Sequence, residues 1–198
     1  MRPINSVLVW DLKIRLFHWI LVLGFIFAYL TAEFHFGFLH TFIGYFLCLL
    51  LIARLLLGFK GSPYSKFSSF IFSSKETVSY LRSMIKGKPT HYFGHNPAGA
   101  LMVFALLVTL ALIFLSGLTT LAVIDFEGPL LFLNSFMDEN SSYAARHLHA
   151  WLVDAALALI SLHIIGVIVG SIQHKENLVK AMFTGKKKNL HTTSVEMK

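Results

Sequence analysis

The stretch Arg146–Gln173, RHLHAWLVDAALALISLHIIGVIVGSIQ, decides the fold. It is long and apolar enough to cross a bilayer as one helix, yet it carries His149 and His163. They are fourteen residues apart. In a helix that is nearly four turns, roughly 21 Å along the axis and only about 40° short of full rotation, so both imidazoles leave one face. Ionisable side chains inside a membrane helix are costly and usually functional. Two on one stripe, about two-thirds of a bilayer apart, predict two cofactors at two depths. The rest of the chain is then a search for the partners of these two histidines.

The composition fits that reading. The 198 residues are 56% hydrophobic, with mean hydropathy +0.67, which is too apolar for an ordinary soluble domain. Met1 to Arg15 shows no short apolar core followed by a small-residue cleavage site, so the first apolar run is expected to be a retained helix. Cys48 is the only cysteine. That excludes a disulfide framework, a CxxC metal site and a CxxCH attachment for covalent haem. Ten histidines is a high count for so short a chain, and histidine is the only abundant residue type able to ligate a metal within the apolar segments.

The net charge of +7 does not indicate a nucleic-acid binder, because the charges segregate by loop. The N-terminal segment, the region Arg54 to Lys88 and the tail after Lys175 hold sixteen Lys/Arg against four acids. The other connections hold Glu33, Asp125, Glu127, Asp138 and Glu139 against Arg146 alone. The positive-inside rule then predicts four crossings, with both termini and the middle loop cytoplasmic and the acidic loops outside.

In chain order, Asp11 is a cap for a first membrane helix over roughly Leu16–Ala32, and a second follows over roughly Phe38–Phe59. In the middle loop, Ser73 and Glu76 form a capping box, and Gly87 with Pro89 ends the helix they start. Its apolar residues would lie on the membrane surface beside the lysines. Asn96-Pro97 opens a third membrane helix, running to about Leu118. It carries no histidine and reads as packing support. The apolar run Leu130–Phe136 reads as a short helix across the outer mouth. The expectation is an all-α membrane protein, a four-transmembrane-helix bundle with an interfacial cytoplasmic helix between helices 2 and 3. Residues 1–188 form a single domain, and 189–198 end a polar, disordered tail that starts at Gly185.

Helix direction matches the histidines by depth. His18 pairs with His163 on the inner side, and His40 with His149 on the outer side. Each pair can hold one haem iron through both axial positions, as facing side chains do in helical bundles. Arg54, fourteen residues after His40, lies on the same face at the inner depth. It either binds a haem propionate or snorkels to the headgroups. Gly44 and Gly166 either leave room for a flat ring or serve close helix packing. His35, His91, His95, His147, His174 and His191 read as surface or quinone-pocket residues rather than axial ligands. Asp154 points about 140° from His149 and reads as a bond to a neighbouring helix, or else as a proton relay. Cys48 reads as a small hydrophobe.

The segments VWDLKIRLFHW (9–19), HTFIGY (40–45), RLLLGFKGSPYSKFSSF (54–70), GHNPAGAL (94–101), the spaced histidines of the fourth helix and HKENLVKAMFTGKK (174–187) together resemble one family. It is the bacterial membrane cytochrome b561 group, which includes the b-type cytochrome subunit of nickel–iron hydrogenases. The resemblance implies a four-helix core with two haems b ligated by His18, His40, His149 and His163. It also implies electron exchange with ubiquinone or menaquinone in a bacterial inner membrane. Hydrogenase-type members usually carry a fifth helix, so a periplasmic cytochrome c or another redox protein is the expected partner. The acidic outer loops would attract a basic one. The alternatives are a superoxide oxidase passing electrons to quinone, and a non-redox transporter or assembly factor.

Overall fold

The computed structural model describes residues 6–188. Its elements are β1 (Ser6–Leu8), α1 (Leu12–Glu33), α2 (Gly37–Lys60), α3 (Ser74–Ile85), α4 (Pro97–Ile124), α5 (Glu139–Gln173), α6 (Leu178–Thr184) and β2 (Lys186–Lys188). Short 3-10 turns cover Phe67–Ser69 and Leu131–Ser135, the latter inside the expected outer apolar run. Helices α1, α2, α4 and α5 are long and apolar enough to cross a membrane. Only 11%, 22%, 22% and 6% of their most apolar windows is buried within the protein. Helices of a soluble domain would hide those faces, so lipid is their solvent and the chain is an all-α, multi-pass membrane bundle.

Local chemistry explains where the helices begin. Ile14 N donates to Asp11 Oδ1 at 3.0 Å, so α1 starts at Leu12, ahead of the apolar run itself. Asp138 likewise accepts from Ser141 N at 2.9 Å, and α5 starts seven residues before Arg146. Asn96 caps α4 through Gly99 N at 2.7 Å, with Pro97 in the first turn. That helix continues past Leu118 to Ile124, because LTTLAVI contains no breaker. The capping box of α3 forms as expected between Ser73 and Glu76, and Gly87, at φ 69°, follows its end.

One feature corrects the sequence reading. Lys186–Lys188 form a strand rather than a disordered start to the tail, pairing antiparallel with Ser6–Leu8. Gly185 makes the turn at φ 78°, and its carbonyl accepts from Val9 N and Trp10 N at 2.8 and 3.0 Å. A Cβ there would meet the Trp10 carbonyl, so glycine is required on two counts. The remaining tail, 189–198, lies outside the described residues.

The chain divides into two compact units. One takes the described parts of 1–22, 53–101 and 163–198. Its described acids are Asp11, Glu76 and Glu176, set among all the described Lys/Arg but one, and we call it the basic unit. The other takes 23–52 and 102–162, where Arg146 is the only Lys/Arg, and is the acidic unit.

Candidate functional site: two facing histidine pairs

In the acidic unit, α2 and α5 bring His40 and His149 together with ring centroids 6.3 Å apart. His40 Nδ1 donates to Ala28 O at 2.9 Å. His149 Nδ1 donates to Ile113 O at 3.0 Å and lies 3.1 Å from Ser116 Oγ. A carbonyl can only accept, so both rings carry a proton on Nδ1, and Nε2 is the nitrogen whose lone pair the neutral imidazole offers to a metal. Both imidazoles are thereby oriented by backbone, as metal-ligating histidines commonly are. A cleft beside them is lined by His40, Gly44, Cys48, Gly117 and His149, among others. A Cβ on Gly44 would meet nothing within 4 Å, so its missing side chain faces open space. A Cβ on Gly117 would stand 3.0 Å from His149 Cε1, so that glycine lets the imidazole approach α4.

Helix α4 is therefore more than packing support, which corrects the expectation from its lack of histidine. Ile113, Ser116 and Gly117 receive the His149 ring. The sequence signal was Ser116-Gly117, a small polar pair within an otherwise bulky apolar run.

In the basic unit, α1 and α5 face His18 and His163 with centroids 6.5 Å apart. His18 Nδ1 is buried without a hydrogen-bond partner. The Trp19 ring stands edge-on to His18 at 5.1 Å and stacks on Phe183 of α6 at 4.3 Å. Arg15 donates to the Phe183 carbonyl, so the C-terminal segment packs against α1. A Cβ on Gly166, one turn after His163, would also meet nothing within 4 Å.

Arg54 is only 4% exposed, so it does not snorkel. Its guanidinium lies 4.8 Å from the Phe67 ring centroid and 6.0 Å from that of Phe17. His95 is not a surface residue either. Its ring is clamped at 4.7 Å from Trp10 and 4.4 Å from Phe70. Burial first, then the positive charge of Arg54, pushes its pKa down to about 3, so it is neutral. His91 and His174 stand 5.3 Å apart, beside the buried Glu176 and Lys187. Burial lowers the Lys187 pKa against the pull of Glu176 3.7 Å away. His147 is exposed on α5, and His35 lies in a turn at φ 60°. His191 falls outside the described residues. Asp154 is exposed on α5 and meets no neighbouring helix through a hydrogen bond or ion pair among the described residues, contrary to expectation.

A metal held between two imidazole nitrogens at about 2 Å each requires ring centroids about 6 Å apart. Both pairs meet that spacing without rearrangement. In the acidic unit, the open space at Gly44 adds room for a flat ring. The four sequence-predicted ligands are thus brought together in the two expected pairs.

The family model described as prokaryotic cytochrome b561 matches residues 9–185, nearly the whole chain. No curated protein and no solved structure matches it.

Proposed function

Because this chain belongs to the prokaryotic cytochrome b561 family and is therefore a transmembrane, haem b-binding electron-transfer protein, we propose that it is a dihaem cytochrome. It carries electrons between the membrane quinone pool and a periplasmic redox partner. The observation that carries this reading is the pair of facing imidazoles in each unit, at 6.5 and 6.3 Å. His18 and His163 would hold one haem, and His40 and His149 the other. Arg54 would bind a propionate of the first. Residues 1–188 act as one cytochrome domain.

Haem supplies reversible one-electron chemistry. The chain's own contribution would be to hold each haem through two imidazoles, an arrangement suited to electron transfer rather than oxygen binding. It also places the four histidines on long apolar helices. The fourteen-residue spacing on α5 lets one helix serve both sites. The basic unit suits the cytoplasmic side of a bacterial inner membrane, with both termini there. The acidic unit suits a basic partner such as a cytochrome c. Superoxide oxidation is the weaker reading, because an anion would be steered toward basic rather than acidic residues.

The test is anaerobic stopped-flow on purified protein in nanodiscs. Ubiquinol or menaquinol should reduce both haems, and oxidised cytochrome c should then reoxidise them at a rate that falls with ionic strength. Haems that no quinol reduces would remove the quinone assignment. Reoxidation indifferent to salt would remove the docking argument.

A further inference from the structure

The basic unit contains a buried cation, Arg54, that no described acid meets in a hydrogen bond or ion pair, although Asp11 acts on it electrostatically at longer range. The hydrogen bonds and ion pairs of the unit's described acids go to other groups. Asp11 accepts from Ile14 N at 3.0 Å and Ser62 Oγ at 2.5 Å. Glu76 closes the capping box of α3. Glu176 lies 3.6 Å from His91 and 3.7 Å from Lys187. Arg54 forms no hydrogen bond or ion pair with any of them, yet it is 4% exposed and its Nη1 is buried without an acceptor. A buried charge left unpaired is among the most destabilising features a fold can hold. Among the described residues, Arg54 lacks a close acceptor.

His95 adds a second observation. Its Nδ1 is a second buried nitrogen without a partner, and it is a donor in the tautomer that carries the proton there. His95 is not loosely placed. Trp10 and Phe70 pack against its ring, and the next residue, Asn96, is fixed as the cap of α4. Phe70 packs on Phe67 at 6.0 Å, and Phe67 lies under the Arg54 guanidinium at 4.8 Å. One aromatic wall thus carries both donors. His95 lies within electrostatic reach of both Arg54 and His163. Two fixed nitrogens with no acceptor among the described residues, within electrostatic reach of His163, suit a carboxylate.

We propose that His95 and Arg54 together bind a carboxylate on the edge of the porphyrin ligated by His18 and His163. This assigns a haem-contact role to a histidine that lies outside the apolar spans. It rests on the proposed haem at that pair. Arg54 provides charge and His95 a neutral N–H donor, so the carboxylate is received without a second buried cation. A lipid phosphate offers the same acceptor chemistry, and the experiment separates the two.

Full-length protein is assembled either with haem b or with its dimethyl ester, which lacks both carboxylates. Wild type, His95→Phe and His95→Gln are compared by haem retention, by redox titration and by the propionate bands of the resonance Raman spectrum. With haem b, His95→Phe should retain one of its two haems about tenfold less tightly, the loss expected for one hydrogen bond to a charged group. The potential of that haem should fall and its propionate bands should shift, while the other haem is unchanged. His95→Gln, which keeps an N–H donor, should stay close to wild type. With the ester, wild type should already show the weakened site, and His95→Phe should add nothing further.

Unchanged propionate bands and potentials in His95→Phe would overturn the assignment. So would an ester held as tightly as haem b, the result a lipid phosphate in the socket would give. If His95→Phe fails to assemble, the ester comparison in wild type decides alone. A wild type whose His163→Ala variant loses no haem would overturn the underlying ligand reading instead, a different result from either of these.

Discussion

The two units face their imidazoles across nearly the same gap, 6.3 Å in the acidic unit and 6.5 Å in the basic unit, but they treat them differently. The acidic unit satisfies both rings from its own backbone, through Ala28 O and Ile113 O. In the basic unit, by contrast, buried nitrogens lack a hydrogen-bond partner on Arg15, His18, Trp19, Arg54, His91 and His95. All such nitrogens among the described residues are there. One pair is held by backbone carbonyls as folded, whereas the other unit keeps several buried polar nitrogens, and the oxygens Gln173 Oε1 and Glu176 Oε2, without a hydrogen bond. Nδ1–H bonds to carbonyls make an imidazole a stronger donor to iron and favour the oxidised metal, whereas a nearby guanidinium favours the reduced one. The difference therefore predicts unequal potentials, higher in the basic unit.

Ligand removal breaks the comparison most severely. His149→Ala and His163→Ala should each halve the haem content, with His149→Ala leaving the higher-potential haem and His163→Ala the lower. A pyridine haemochrome assay with redox titration reads both. If either variant retained both haems, the pairing would be wrong.

Gly117→Leu should act nearly as strongly but on one side only. Its Cβ would stand 3.0 Å from His149 Cε1, and overpacking of this kind costs about 1–3 kcal/mol, or roughly tenfold and more in haem retention. Loss of the higher-potential haem instead would contradict the placement of His149 against α4.

Ser116→Ala should be milder. It removes one of two acceptors at His149 Nδ1, and Ile113 O remains. A loss of about tenfold in affinity for the lower-potential haem is the expected ceiling, with a small rise in its potential. An unchanged midpoint would show that the backbone carbonyl alone sets the ring.

Asp11→Ala tests the frame of the basic unit without touching a ligand. Losing the cap of α1 should cost about 1 kcal/mol in thermal stability, with both haems kept. Burial opposes ionisation of Asp11, but Ser62 and the backbone of Ile14 hold its carboxyl below the usual range. With the folded pKa depressed, this stabilisation is present at neutral pH. It is lost as the medium is acidified below about 3.8, and the wild-type advantage over Asp11→Ala should vanish there.

Much of this was legible in the sequence because the relevant signals are local or periodic. The apolar runs fixed four helices, the fourteen-residue spacings fixed which histidines share a face, and Ser73 with Glu76 fixed α3. Depth matching alone paired His18 with His163 and His40 with His149, as the fold does. What escaped depends on contacts distant in sequence. Lys186–Lys188 form a strand only because Ser6–Leu8 supply the other edge. Ser116 and Ile113 reach His149 from a helix with no histidine to draw notice. Hydropathy places His95 in a polar loop, and only the packing of Trp10 and Phe70 buries it.

The most direct test of the central claim is haem stoichiometry of the wild-type chain, combined with electron paramagnetic resonance during a redox titration. The account predicts two haems b per chain, both low-spin with two imidazole ligands, titrating at separate potentials. One haem per chain, or a high-spin centre with an open axial position, would contradict it.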